Sequence, residues 1–233
     1  MHIAEGLLPA NYAIGYSIGA GVIVAKGIKD YVKRSKEKPM TKQLTGVMTA
    51  AIFLISLMPI PVPITGTSSH PGGTPLAAIL LGPWLTTVMS MVAMLLQALF
   101  FSHGGLTTLG ANTLTMGVFG GLVGWSIFWG ARKMGMGLGL AAALAGLIGD
   151  VVIYVGASIQ LALAIHGTYP IGQVFWAIFG AFLPTQAPLA ILEGIFTGLA
   201  IKFVANRRPD ILVMLKVIKP DEVPTPKEVP HYE

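Results

Sequence analysis

KGIKDYVKRSKEKPMTKQ, residues 26–43, holds seven of the fifteen Lys and Arg residues in a chain of 233. No Lys or Arg precedes it. On either side the sequence turns apolar for about a membrane's thickness, with spans expected near 10–31 and 43–60. A basic connection between two apolar segments is the mark of a cytoplasmic loop. Further along, spans are expected near 74–82, 83–101, 111–131, 137–164 and 184–204. Gly82-Pro83 breaks the third from the fourth, unless the two are kinked halves of one element. The apolar, amphipathic stretch 170–183 is expected as an outer, partly interfacial helix. The other basic residues are Arg132, Lys133, Lys202, Arg207, Arg208, Lys216, Lys219 and Lys227, at or beyond the fifth and last spans. The connections 61–73, 102–110 and 165–170 carry none. Seven crossings follow, with the N-terminus outside and the C-terminus in the cytoplasm.

Composition agrees. The chain is 54% apolar and 11% charged, where soluble domains are about 25% charged. Mean hydropathy is +0.73. The expected fold is all-α, a polytopic transmembrane bundle over residues 1–205. Residues 206–233, ending in the Pro-rich, charged PDEVPTPKEVPHYE, are expected as a disordered cytosolic tail. There is no cysteine, which excludes disulfides, thiolate metal sites and cysteine nucleophiles. The net charge of +5 does not indicate nucleic acid, because it is not spread over a soluble face. The first residues lack the basic n-region of a cleavable signal.

The five histidines are distributed unevenly. His2, His70, His103 and His166 fall on outer segments, and His231 lies in the tail. Clustered imidazoles without nearby cations suit a metal site. A free α-amine, the amide nitrogen of residue 2 and Nδ1 of His2 form fused chelate rings that supply three coplanar nitrogens. A fourth nitrogen closes a square plane, the preference of Ni(II) and Cu(II). His70 is the best candidate for it. It lies in the Gly/Ser/Thr/Pro-rich TGTSSHPGGTP, which tolerates membrane depth only if buried in protein or lining a cavity. The chelate requires that Met1 be retained and unblocked. Metal must displace the amine's proton, whose reference pKa is about 7.7–8.0.

Four motifs in order now carry a resemblance: MHIAEGLLP at 1–9, TGTSSHPGGTPLAAILLGPW at 65–84, QALFFSHGGLTTLGAN at 97–112 and PTQAPLAILEGIFTG at 184–198. Together they resemble the nickel/cobalt substrate-binding membrane subunits of energy-coupling factor transporters, the CbiM/NikM family. The resemblance covers residues 1 to about 205. It implies a seven-helix subunit with its N-terminus in the metal pocket. It implies Ni2+ or Co2+ as transported substrate, with Met1, His2 and His70 as ligands. It also implies partners: a transmembrane coupling subunit, two ATPase subunits and a small accessory membrane protein. No hydrophobic pair follows residue 205, so a fused accessory subunit is not expected.

Around these ligands, His103 is a candidate for orienting the metal-bearing loop, and Gln97 and Asn112 for holding His2 or His70 in one tautomer. Glu193, inside the last span, either attracts the cation or accepts helix-to-helix hydrogen bonds, with the structural role favoured. Asp150 reads as a packing or coupling residue. Gly46-xxx-Ala50 and Gly117-xxx-Gly121-xx-Gly124 allow close helix approach, the first as a docking face for the coupling subunit. No Gly-x-x-x-x-Gly-Lys-Ser/Thr phosphate loop is present, so ATP hydrolysis is assigned to partners. The alternatives are an integral membrane metalloenzyme and a passive divalent-metal channel. Against the first, there is no His-Glu-x-x-His, and a filled plane leaves no open site for water. A channel needs a row of weak sites rather than one deep chelate.

Overall fold

A computed structural model describes residues 2–57, 59–62 and 67–223. The order is β1 (His2–Ile3), α1 (Ala10–Glu37), α2 (Met40–Ile55), β2 (Ile60–Val62), β3 (Thr67–Ser69), α3 (Thr74–Leu81) and α4 (Pro83–Phe101). Then α5 (Leu109–Thr113) runs through a π-helical turn (Leu114–Gly120) into α6 (Gly121–Lys133). The chain continues as α7 (Leu138–Ile165), α8 (Ile171–Arg207), α9 (Pro209–Met214) and a 3₁₀ turn (Pro220–Glu222). Among the described residues, four helical stretches are long and apolar enough to cross a membrane: Pro83–Phe101, Leu109–Lys133, Leu138–Ile165 and Ile171–Arg207. With α1 and the shorter α2 and α3, the all-α membrane bundle expected from the sequence is present.

α1 has 28 residues, about 42 Å at 1.5 Å per residue, so its basic last turns extend past a core of about 30 Å. Gly82 has φ +84°, a conformation glycine adopts freely, and Pro83 opens α4 at its first position. The break between the third and fourth spans is therefore real. Glycine also explains how α5–α6 fits. A Cβ on Gly110 would sit 2.4 Å from the Ser17 Cα of α1, and one on Gly117 2.9 Å from the Thr87 Cα of α4. The helices touch backbone to backbone, which membrane packing favours. α7 and α8 do the same: Cβ atoms on Gly194 and Gly198 would lie 2.9 Å and 2.8 Å from the carbonyl oxygens of Ala143 and Gly139. Gly46 of α2 meets nothing within 4 Å among the described residues and is exposed.

Three features depart from the sequence reading. Residues 170–183 do not form a separate interfacial helix. They are the first turns of α8, whose 37 residues span about 55 Å and enclose Pro184 and Pro188. Membrane helices tolerate internal proline; the carbonyls left without their usual N–H here are those of Gly180 and Pro184. Next, residues 209–223 are not a loose tail. Leu212, Val217 and Ile218 are buried. Lys38 Nζ donates to the Met214 carbonyl at 2.8 Å, and Arg132 pairs with Glu222. The remainder of the expected tail, 224–233, lies outside the described residues. Finally, a three-stranded antiparallel sheet of order β1-β3-β2 caps one end of the bundle.

The basic residues gather at the opposite end. Arg34 Nη1 donates to the Leu81 carbonyl at 2.9 Å, and Lys26 Nζ lies 3.4 Å from the Trp84 ring centroid. The sheet and the connections 102–108 and 166–170 occupy the end without them, the outer one by the positive-inside rule.

Candidate metal centre

β3 is the middle strand of the outer sheet and leads directly to His70. Its register with β1 places His2 opposite Ser68 and Ile3 opposite Thr67. β2 pairs on the other side, Ile60 opposite Ser69. The start of the chain therefore runs antiparallel beside the segment that delivers His70.

β1 has only two residues, too few to hold its own register. Asn112 supplies the rest. Its Oδ1 accepts from the Ile3 N–H at 2.8 Å and its Nδ2 donates to the Ile3 carbonyl at 3.2 Å. The side-chain amide thus pairs with the backbone as another strand would. Thr108 Oγ1 also donates to the Ile3 carbonyl, at 2.8 Å, and the Ile3 side chain is fully buried. Glu5 continues the attachment: its N–H donates to the Gly104 carbonyl at 3.2 Å and its carboxylate accepts from the Thr107 N–H at 3.2 Å. The expectation for Asn112 was a bond to an imidazole. The bonds found run to the peptide groups of Ile3, one residue beyond His2.

The His70 loop is fastened from two helices. Tyr154 of α7 accepts from the His70 N–H at 2.9 Å and donates to the His70 carbonyl at 3.0 Å. Glu193 of α8 accepts from the Gly72 N–H at 2.6 Å and the Gly73 N–H at 2.8 Å, one on each oxygen. Ser69 and Thr185 share a hydroxyl hydrogen bond of 2.8 Å. Buried backbone N–H groups require such partners, and ionised acceptors make the strongest ones. Glu193 is thus an acceptor for the loop, whereas the structural role expected from the sequence was a helix-to-helix hydrogen bond. Beside it, the Gln186 amide donates to Asp150, which is fully buried.

The His70 ring is fully buried, with Nδ1 2.9 Å from the Pro71 carbonyl. A carbonyl only accepts, so Nδ1 carries the proton and the lone pair lies on Nε2. The His103 ring stands edge-on to it, centroids 5.6 Å apart. Burial pushes the His70 imidazole well below the ordinary 6.5, and lowers His103 to about 4. Both rings are neutral at pH 7 and keep the lone pair that a metal takes.

Among the sequence candidates, the structure sets the His103 ring against that of His70, Glu193 against the backbone of Gly72 and Gly73, and Asn112 against Ile3 of the strand paired with β3. Gln97 is differently employed: its Nε2 donates to the Phe53 carbonyl at 3.0 Å and to Ser56 Oγ at 2.7 Å, closing the end of α2. His166 lies apart on an exposed turn, 3.2 Å from the Tyr169 carbonyl. Met1 and the His2 side chain lie outside the described residues. Among the described residues, no group of three His, Asp or Glu side chains converges as a metal site. Sequence reasoning missed Tyr154 and Thr108. Tyr154 left one signal, a second polar residue four after Asp150 and so on the same helix face.

Residues 2–211 match the family model of the cobalt uptake substrate-specific transmembrane region, CbiM. The chain belongs to this family. Cobalt transport protein CbiM of Geobacter sulfurreducens is 44% identical over 218 residues, which are 94% of this chain and 63% of that protein. This chain therefore spans somewhat less than two thirds of that relative. The protein of the same name from Sorangium cellulosum is 43% identical, across 94% of this chain and 97% of its own length. A crystal structure of a truncated transition metal transporter superposes with TM-score 0.78 at 27% identity, covering 89% of this chain and 99% of that one. A multi-pass membrane protein of a metal-transport family, rather than an enzyme, is what these likenesses and the helical bundle establish.

Proposed function

We propose that the chain is the metal-capturing subunit of an energy-coupling factor importer. It takes one Ni(II) or Co(II) ion in the outer pocket. The ligands are the α-amine of Met1, the backbone nitrogen and imidazole of His2, and the imidazole of His70. The pairing of β1 with β3 carries this reading, because it sets residue 2 opposite Ser68, two residues from His70. Asn112 holds that pairing in place. The relatives' names point to cobalt, whereas a plane of four nitrogens suits nickel. A yellow, diamagnetic nickel complex of the purified chain would mark the plane. Energy comes from partners: a coupling membrane subunit, two ATPase subunits and a small accessory membrane protein.

Position tests this reading more sharply than composition. A Gly-Ser extension before Met1 keeps every side chain but moves the α-amine out of the chelate. It should weaken Ni(II) binding as completely as His2→Ala or His70→Ala, measured by calorimetry at one ion per chain. If the extended protein binds as tightly as the parent, the amine is not a ligand and the proposal fails.

A further inference from the structure

The basic end of the bundle contains a second polar site, unconnected with the metal pocket. A cavity of about 390 Å³ opens among α1, α2, α3 and the 214–216 turn, lined by Arg34, Lys38 and Lys216, with Glu37 as its acidic group. A neighbouring cavity of about 300 Å³ shares Arg34, Leu80, Leu81 and Leu215 with it. The second is walled by Trp84, Trp125 and Trp129, three of the four tryptophans in the chain. The two adjoin across these shared residues, the first carrying the cations and the second the tryptophans.

The details suit a phosphodiester with acyl chains. Arg34 uses Nε and Nη2 on Asp30 and Nη1 on the Leu81 carbonyl, so its guanidinium is fixed in place yet 41% exposed. A Cβ on Gly82 would lie 3.6 Å from both of its terminal nitrogens, and glycine leaves that face open. Lys216 stands exposed at the rim. Leu122, Trp125 and Trp129 lie three and four residues apart on α6, a continuous apolar stripe from the lipid face to the cations. Basic pockets between helices on the cytoplasmic side recognise anionic headgroups, and tryptophan sits at headgroup depth.

We infer that this pair of cavities is a binding site for an anionic phospholipid of the cytoplasmic leaflet, with its phosphate between Arg34 and Lys216. An acyl chain lies along Trp125 and Leu122.

Tryptophan fluorescence reads the site directly, in a Trp176→Phe background that removes the exposed outer tryptophan. The full chain goes into bilayers of zwitterionic phosphatidylcholine doped with brominated phosphatidylglycerol or brominated phosphatidylcholine. The anionic lipid should reach half-quenching at a mole fraction at least threefold lower. Lys216→Ala should reduce that preference while leaving Ni(II) binding unchanged, which shows the variant folded. Equal quenching by the two lipids would mean an ordinary interfacial belt and would overturn the proposal. Relief of the preference by millimolar glycerol phosphate would indicate a site for soluble anions and would also overturn it.

Discussion

Tyr154→Phe isolates one atom. The ring is buried and packs edge-on against Phe182, with centroids 5.1 Å apart, so phenylalanine keeps its place. Only the hydroxyl goes, and with it both hydrogen bonds to the peptide groups of His70. A buried backbone group left without its partner costs about 1–3 kcal/mol, so the two together cost about 2–6 kcal/mol if nothing relaxes. Relaxation is limited but real. Ser69 on one side and Gly72 and Gly73 on the other remain tied to α8, so His70 pivots between fixed neighbours. The lower end of the range is expected, about 2 kcal/mol, equivalent to roughly 30-fold in an equilibrium constant. If the loop orders only when metal arrives, this loss appears in Kd. If the loop is rigid beforehand, part of it appears as a lower melting temperature. Nickel calorimetry and thermal unfolding on the same preparation capture both. A variant within twofold of the parent in Kd, with an unchanged melting temperature, would refute the clamp.

Glu193→Gln turns one acceptor into an NH₂ facing a backbone N–H; losing a charge-assisted bond of about 1.5–3 kcal/mol should weaken nickel binding roughly tenfold or more. Calorimetry showing parent-like affinity would remove Glu193 from the loop's support. Gly110→Ala drives a methyl into the Ser17 backbone and should cost about 1–3 kcal/mol of stability by forcing α5 away from α1, read as a fall in melting temperature. Acid should destabilise the metal-free chain. The folded pKa of His103, about 4, lies below its ordinary 6.5, and that of His70 is lowered too. Above 6.5 neither state binds the proton. Between 6.5 and 4 the unfolded chain binds it and the folded chain does not, so this contribution is lost as pH falls through that window. A His103→Ala variant should lose part of that acid sensitivity; an identical pH profile of melting would count against it. Metal retention should fall over the same range, as protons compete for the imidazoles.

The helices were legible because each leaves a physical trace in composition. Apolar length marked the spans, and Gly82-Pro83 marked a true break. The division of 170–204 into an interfacial helix and a span did not hold, because membrane helices tolerate internal proline and α8 runs on through Pro184 and Pro188. The PDEVPTPKEVP composition suggested disorder from its charge and proline, yet the apolar ILVMLKVI at 211–218 just before it buries three side chains. The boundary between folded and loose chain lies later than residue 205 for that reason.

The outer pocket was legible only in part, and the division is physical. Histidine declares itself by chemistry, so His70 and His103 stood out. What orients them acts mostly on the backbone. Tyr154 holds the peptide groups on both sides of His70, Glu193 holds two glycine N–H groups, and Asn112 holds both polar groups of Ile3. A backbone group is the same in every residue, so nothing at Gly72 or Ile3 announces that it is bound. The anchors are visible as polar side chains in apolar spans, but their targets are not. Gln97 shows the consequence. It lies on the same motif as His103 and has the right chemistry to orient an imidazole, yet its amide nitrogen serves the end of α2. Residue type narrows a buried polar group to a partner of some kind. Which partner depends on how the elements pack, and for Asn112 that is the strand pairing at His2–Ile3, where two residues are too few to leave an alternating pattern.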